Sequence, residues 1–212
     1  MIIECVGLPG AGKTTVCKMV SEPHGGKGAV PLFAMRPSWA VVGAAWHIFA
    51  LSLTTRPFDL KRLTRAFNLV LFLRHYERRD LMILLDQGIV QKVWSILADS
   101  AHHSRQRLDR VMLSLLPFAP DWVVWLDTPL DAAARRLGAR VGGNSRYDTL
   151  QLDEVLQQFA IRQTLLRKLT EQFCNAGSAR LLEIDGTQPA EANAARIGAL
   201  FKEQNSQVSV LP

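Results

Sequence analysis

The chain has 212 residues, of which 48% are hydrophobic, and a formal net charge of +6 at pH 7. This length supports one substantial core, so we expect a single domain over residues 1–212. Three widely spaced cysteines exclude a disulfide framework and a zinc site. The basic residues are scattered and accompany no recognisable nucleic-acid module, so phosphorylated small ligands explain the charge better than nucleic acid does.

Two features of the N-terminal quarter bear on location. The first residues, Met1 to Val6, contain neither a basic segment nor a signal cleavage site, which predicts a cytoplasmic protein. The segment Trp39 to Leu53 is apolar apart from His47, but its 15 residues are too few for a membrane span. We expect this segment to be a buried core helix, and contact with a membrane surface remains an alternative.

Apolar runs alternate with amphipathic segments of helix length, which predicts an α/β protein with parallel strands. The predicted strands are short and apolar on both faces, as strands covered by helices on each side should be. The five predicted strands are Ile2 to Val6, Ala29 to Phe33, Leu81 to Leu85, Trp122 to Leu126 and Arg180 to Ile184. The predicted helices are Lys13 to Ser21, Trp39 to Leu53, Asp59 to Glu77, Ile89 to Ala98, Ser104 to Leu115, Leu130 to Leu137, Leu150 to Phe173 and Ala190 to Glu203.

Two irregular segments interrupt this alternation. Glu22 to Ser38 is rich in Gly and Pro, and Gly138 to Thr149 combines glycines with arginines. Long loops inside a compact domain are usually functional or disordered. We interpret residues 138–149 as a small arginine-rich lid and residues 22–80 as the region that faces an acceptor.

The strongest signal is a phosphate-binding loop. Gly7 to Thr14 satisfies G-x-x-x-x-G-K-[ST] between a predicted strand and a predicted helix, the context that the motif requires. Such a loop aims backbone N–H groups at a triphosphate. We expect Lys13 to act on the β- and γ-phosphates and Thr14 to bind Mg²⁺. The residues predicted to bind ATP here are Gly7, Pro9, Gly10, Ala11, Gly12, Lys13, Thr14 and Thr15, the last near the α-phosphate.

Asp86 is the second candidate for chemistry. It directly follows the predicted strand Leu81 to Leu85, at the carboxyl edge of the sheet, where ligands bind in open α/β folds. An acid there can hold Mg²⁺ or accept a proton from an attacking hydroxyl. Capping of the following helix is the plain alternative.

These pieces together resemble the thymidylate kinase and nucleoside monophosphate kinase group of P-loop kinases. The similarity covers nearly the whole chain in the expected order. Its pieces are Gly7 to Thr15, Leu71-Phe72 with Arg74, Leu81 to Asp86, Trp125 to Pro129, Arg135 to Arg146 and Ile184 to Pro189. The resemblance implies a three-layer P-loop NTPase fold with a five-stranded parallel sheet flanked by helices. It also implies an ATP-dependent phosphotransferase that uses Mg²⁺.

The resemblance also implies roles for residues outside the loop. Arg74 should reach the acceptor's phosphate, and Gln87 and Gln91 should also contact the acceptor. Arg140 and Arg146 should act on the transferring phosphoryl group from the lid, where four flanking arginines can stabilise its charge and exclude water. The expected contacts to the nucleoside part of ATP are Arg136, Asp185 and Thr187.

The acceptor is left open by one departure from that group. Gln87 stands where thymidylate kinases usually have arginine, so we expect an acceptor other than simple thymidine monophosphate. A nucleotide, a nucleoside and another hydroxylated metabolite remain candidates. A P-loop ATPase or switch with a protein partner, a peripheral membrane kinase with a lipid-linked acceptor, and a homodimer remain alternatives. We expect the aromatics Trp39 and Trp46 to be core residues rather than ligand stackers.

Overall fold

The computed structural model describes residues 1–21, 38–76, 83–100, 102–139, 147, 150–177 and 179–208. Within them, four parallel strands form one sheet in the order β2-β1-β3-β4. The strands are β1 (Ile2–Val6), β2 (Ile83–Leu85), β3 (Trp122–Asp127) and β4 (Arg180–Asp185). The register places Ile3 beside Leu84 and Trp122, so β1 lies inside the sheet.

Eight α-helices connect and cover these strands in the described part of the chain. They are α1 (Lys13–Ser21), α2 (Trp39–Thr54), α3 (Leu60–Tyr76), α4 (Ile89–Leu97), α5 (Arg105–Leu115), α6 (Leu130–Gly138), α7 (Leu152–Ala176) and α8 (Ala190–Val208). Capping follows from sequence in several places. The Ser38 hydroxyl accepts from Val41 N at the start of α2, and Gln151 and Glu154 form a capping box at the start of α7.

Alternating residues of β1 divide the core into two layers. Ile2 and Val6 face a large apolar cluster that includes residues of α2, α3, α4, α5 and α7. Ile3 and Cys5 face a second cluster built with α1 and α8. Because both faces of the sheet are covered, the fold has three layers, as predicted. Glu4 is the exception to the apolar pattern and is fully buried.

The predicted strand count differs from the described one. The sheet has four strands among the described residues, not five. The remaining predicted strand, Ala29 to Phe33, falls in residues 22–37, which lie outside the described residues.

The expectation that Trp39 and Trp46 belong to the core is wrong. Their side chains are 89% and 74% exposed. The opposite face of α2 is buried through residues that include Val41, Ala44 and Ile48. Helix α2 is therefore apolar on both faces. Its inner face packs against the core, and its outer face is left exposed by the described residues. Among these same residues, no helix is long and apolar enough to cross a membrane.

Candidate functional site

The phosphate-binding loop runs from β1 into α1. Gly10 and Gly12 have φ angles of +86° and +97°, in the left-handed region that favours glycine. A Cβ on Gly10 would lie 2.1 Å from the carbonyl oxygen of Ala133, so the loop passes α6 in direct contact. The Ala11 N–H donates to the Leu8 carbonyl at 3.1 Å and closes the turn. Both positions therefore favour glycine for conformation, and Gly10 also requires it for space.

Lys13 lies within the loop rather than in solvent. Lys13 is only 8% exposed. The Nζ atom donates to the carbonyls of Gly7 at 2.8 Å and Leu8 at 2.9 Å. A buried ammonium needs hydrogen-bond acceptors, and the loop's own carbonyls supply them. Lys13 is thus held at the loop, within the site that the motif predicts.

Thr14 and Asp86 meet across the gap between α1 and the end of β2. The Thr14 hydroxyl donates to Asp86 Oδ2 at 2.7 Å. The N-cap of α4 is Gly88, so Asp86 does not cap that helix. Asp86 Oδ1 is buried and accepts no hydrogen bond from the described residues. A buried carboxylate oxygen without a donor is costly, and a cation or its bound water would relieve that cost.

The start of α4 forms the other wall of the site. Gln91 accepts a hydrogen bond from the Gly7 N–H through Oε1 at 3.3 Å. A cavity of about 180 Å³ lies between this helix and the phosphate-binding loop. Its lining residues are Pro9, Gly10, Gly12, Lys13, Thr14, Gln87, Gln91, Trp94 and Ser95. The structure therefore brings five residues of the predicted phosphate-binding loop together with two of the predicted acceptor residues.

A larger groove is less suited to the chemistry. It measures about 540 Å³ and lies against α7, where Arg167, Glu171 and Glu183 are among its lining residues. Arg167 pairs with Glu171 at 2.7 Å and also with Glu183, so its charge is already compensated. No residue of the phosphate-binding loop lines this groove. We therefore place the site at the smaller cavity.

Glu4 contacts the first turn of α4, the helix that forms this wall. Its carboxylate accepts from Val90 N at 3.3 Å and from Gln91 N at 3.0 Å. Burial raises the pKa of Glu4 to about 7, although these N–H groups favour the charged form and lower it. Asp or Glu is rarely fully buried without a partner, and here the partner is the start of a helix.

The opposite side of the loop is built by α6 and the turn after β4. Arg136 donates through Nη1 to the Gly186 carbonyl at 2.8 Å, which joins two predicted ATP-site segments. Asp185 Oδ1 accepts from Thr187 N at 2.8 Å and from its hydroxyl at 2.6 Å. Hydrogen bonds from the Thr187 hydroxyl, the Gln188 amide and the Thr187 N–H, in that order, lower the pKa of Asp185 to about 2. The turn thus has a fixed geometry before any ligand binds.

Other predicted residues lie away from this cavity or outside the described chain. Arg74 is half-buried in the last turns of α3 and is not a lining residue of the cavity. Thr15 is exposed in the first turn of α1. Arg140 and Arg146 lie outside the described residues. Tyr147, close to them in sequence, is buried and contacts Phe159 on α7 edge to face, with ring centroids 5.1 Å apart.

Sequence reasoning missed Glu4 and Ser95. A single acid in an otherwise apolar strand was the signal for Glu4. Ser95 is four residues after Gln91, so helical spacing places it on the same face of α4. The spacing from Gln91 could have identified Ser95, whereas the contact of Glu4 with the start of α4 is visible only in the fold.

Comparisons with solved structures identify the fold. A structure of deoxyadenosine kinase from M. mycoides with bound dATP has a TM-score of 0.58 and 14% sequence identity, and the match covers 95% of this chain and 99% of that one. The same enzyme with bound dCTP gives a TM-score of 0.52 and 14% identity, over 97% of this chain and 100% of that one. The chain has a deoxyadenosine kinase-like fold. No protein-family model and no curated protein matches the sequence. At this identity the likeness concerns the fold alone.

Proposed function

We propose that this chain is an ATP-dependent kinase that phosphorylates a hydroxyl group of an uncharged small acceptor, with a nucleoside as the leading candidate. One observation carries the proposal: Thr14 of the phosphate-binding loop contacts Asp86 beside a cavity whose far wall is neutral and polar. The fold shared with deoxyadenosine kinases supports a nucleoside acceptor. The resemblance to thymidylate kinases then concerns the group of P-loop kinases and does not identify the acceptor.

The donor half of the site uses the phosphate-binding loop. Backbone N–H groups of the loop and the start of α1 favour the phosphates, and Lys13 adds a cation beside them. Thr14 and Asp86 are the residues that would hold Mg²⁺, and the unsatisfied Asp86 Oδ1 fits that assignment. Bound there with the phosphates, Mg²⁺ supplies charge neutralisation for the developing transition state. Few protein ligands are needed, since Mg²⁺ in such sites keeps waters and phosphate oxygens.

The acceptor half is defined by α4. Gln87, Gln91 and Ser95 offer neutral donors and acceptors, and Trp94 offers an aromatic wall. A phosphate-bearing acceptor would be bound best by charge-assisted hydrogen bonds. Among the described residues that line the cavity, Lys13 is the only cation, and it belongs to the donor half. At about 180 Å³ the cavity is small beside typical ligand pockets, so it holds the reacting end of the acceptor.

The chemical step is an in-line displacement. The acceptor hydroxyl oxygen forms a bond to the γ-phosphorus, and the bond from that phosphorus to the β–γ bridging oxygen breaks. The electron pair of the broken bond leaves with ADP. The hydroxyl proton passes to a base. Asp86, which accepts a hydrogen bond from Thr14 of the loop, is the candidate for this role as the alternative to holding Mg²⁺. Arg140 and Arg146 are proposed to stabilise the transferred group from the lid, and Arg136 with the Asp185–Thr187 turn to border the nucleoside of ATP.

A thermal-shift screen tests the proposal. The protein is heated with a non-hydrolysable ATP analogue and Mg²⁺, alone and with nucleosides, nucleotides and sugars. A ligand that binds the native state raises the melting temperature according to its saturation. We expect the ATP analogue to stabilise the protein and a nucleoside to add a further shift. Absence of any shift with the ATP analogue would refute the proposal.

A further inference from the structure

The Glu4 side chain occupies a buried space at the start of α4. Its side chain is fully buried in the central strand β1, three residues before the phosphate-binding loop. Gly88, the N-cap of α4, has no side chain that can cap the helix. A Cβ at Gly88 would lie 2.4 Å from Glu4 Cδ, so only glycine leaves room for the carboxylate. Glu4 therefore caps α4 from a different element of the fold.

Gln91 connects the contact between Glu4 and α4 to the phosphate-binding loop. Glu4 Oε1 accepts from the Gln91 N–H at 3.0 Å, and Gln91 Oε1 accepts from the Gly7 N–H at 3.3 Å. All three residues are buried, with Glu4 at 0% and Gln91 at 6% exposure. Gln91 is therefore fixed at its backbone by Glu4 and at its side chain by the loop.

We propose that Glu4 is a positioning residue for triphosphate binding, which acts through the first turn of α4 and Gln91 to hold the first residue of the phosphate-binding loop. This role rests on the proposed function. Glu4 itself contacts no substrate. It fixes the distance between α4, which lines the acceptor cavity, and Gly7, where the loop begins.

The surroundings of Glu4 favour this role over a plain packing role. A buried carboxylate costs far more to place than an apolar side chain. Lys92 on α4 and Cys174 on α7 are the titratable groups that interact with it, and the Lys92 pKa is lowered by burial although Glu4 opposes that shift. Neither neighbour forms an ion pair with Glu4 among the described residues. The backbone N–H groups of α4 are thus its main partners.

The test is a double-mutant cycle read by nucleotide affinity. A fluorescent ATP analogue with Mg²⁺ is titrated into wild type, Glu4→Gln, Gln91→Met and the double variant. The Glu4→Gln amide keeps one acceptor oxygen and turns a donor toward the helix start, while Gln91→Met keeps size and removes the acceptor for Gly7. We expect each single variant to bind about five- to tenfold more weakly. The double variant should lose little beyond the larger single effect, because both act on one connection.

Matched variants keep the test decisive. Ile2→Val removes a methylene group from the same buried face of β1 and should lower the melting temperature without changing affinity. Gly88→Ala pushes the Glu4 carboxylate from the helix side and should weaken nucleotide binding with Glu4 still present. Unchanged affinity in Glu4→Gln, or simple addition in the double variant, overturns the positioning role. A wild type that does not bind the analogue refutes the proposed function itself.

Discussion

Replacement of Glu4 by glutamine should change how the stability of the protein depends on pH. The pKa of Glu4 rises from 4.5 to about 7 in the folded chain, mainly because burial disfavours the charged form. A pKa difference of this size corresponds to about 3 kcal/mol. Between these two values the native carboxyl keeps a proton that the unfolded one has lost. The contribution of Glu4 to stability is therefore full below about pH 4.5 and is lost as the pH rises to about 7.

Urea unfolding of wild type and Glu4→Gln across this pH range measures the effect. Glutamine does not titrate, so the difference in unfolding free energy between the two proteins isolates Glu4 from other groups. We expect this difference to move in favour of Glu4→Gln by about 3 kcal/mol between about pH 4.5 and about pH 8, and to level off above pH 7. Ile2→Val, the control, should differ from wild type by the same amount at every pH. A pH-independent difference for Glu4→Gln would refute the reasoning.

Three further predictions concern the site and the core. Lys13→Ala should abolish phosphoryl transfer and cost only about 1–3 kcal/mol in urea unfolding, since it removes two hydrogen bonds to loop carbonyls; near-normal turnover would contradict the loop's role. Asp86→Asn should lower turnover by several orders of magnitude and flatten the acidic limb of the pH–rate profile if Asp86 is the base, whereas rescue by added Mg²⁺ would assign it to the metal. Trp94→Ala should cost about 3–5 kcal/mol and Trp46→Ala less than about 0.5 kcal/mol, because only Trp94 is buried; equal losses would mean that the outer face of α2 is covered in solution.

Much of the fold could be predicted from the pattern of apolar residues. The bounds of β1 and α1 agree with prediction at both ends, because a run that is apolar except for Glu4 meets a glycine loop and then a helix-forming segment. Helix α7 extends to Ala176, three residues beyond its predicted end at Phe173, since Cys174 to Ala176 contains no helix breaker before Gly177. The exposure of Trp46 could not be predicted, because apolar periodicity does not tell which face of α2 finds a partner.

The site was predictable where a motif fixes backbone geometry. The loop, Thr14 and Asp86 come together because the carboxyl ends of neighbouring parallel strands share one edge of the sheet. The inward position of Lys13 was not predictable, since it depends on which acceptor its flexible side chain reaches. The role of Glu4 was not predicted, because its partner is a helix start 86 residues away and only the three-dimensional fold brings the two together.

The central claim is phosphoryl transfer to an uncharged acceptor, and coupled measurement of ADP release tests it most directly. Wild-type protein is assayed with ATP and Mg²⁺ alone, with a panel of nucleosides, and with thymidine monophosphate. The account predicts ADP release that requires a nucleoside and that Lys13→Ala abolishes. Release at the same rate without any acceptor would indicate an ATPase. Turnover of thymidine monophosphate at ordinary kinase rates with a micromolar KM would show that Gln87 does not exclude a phosphorylated acceptor, and would contradict the account.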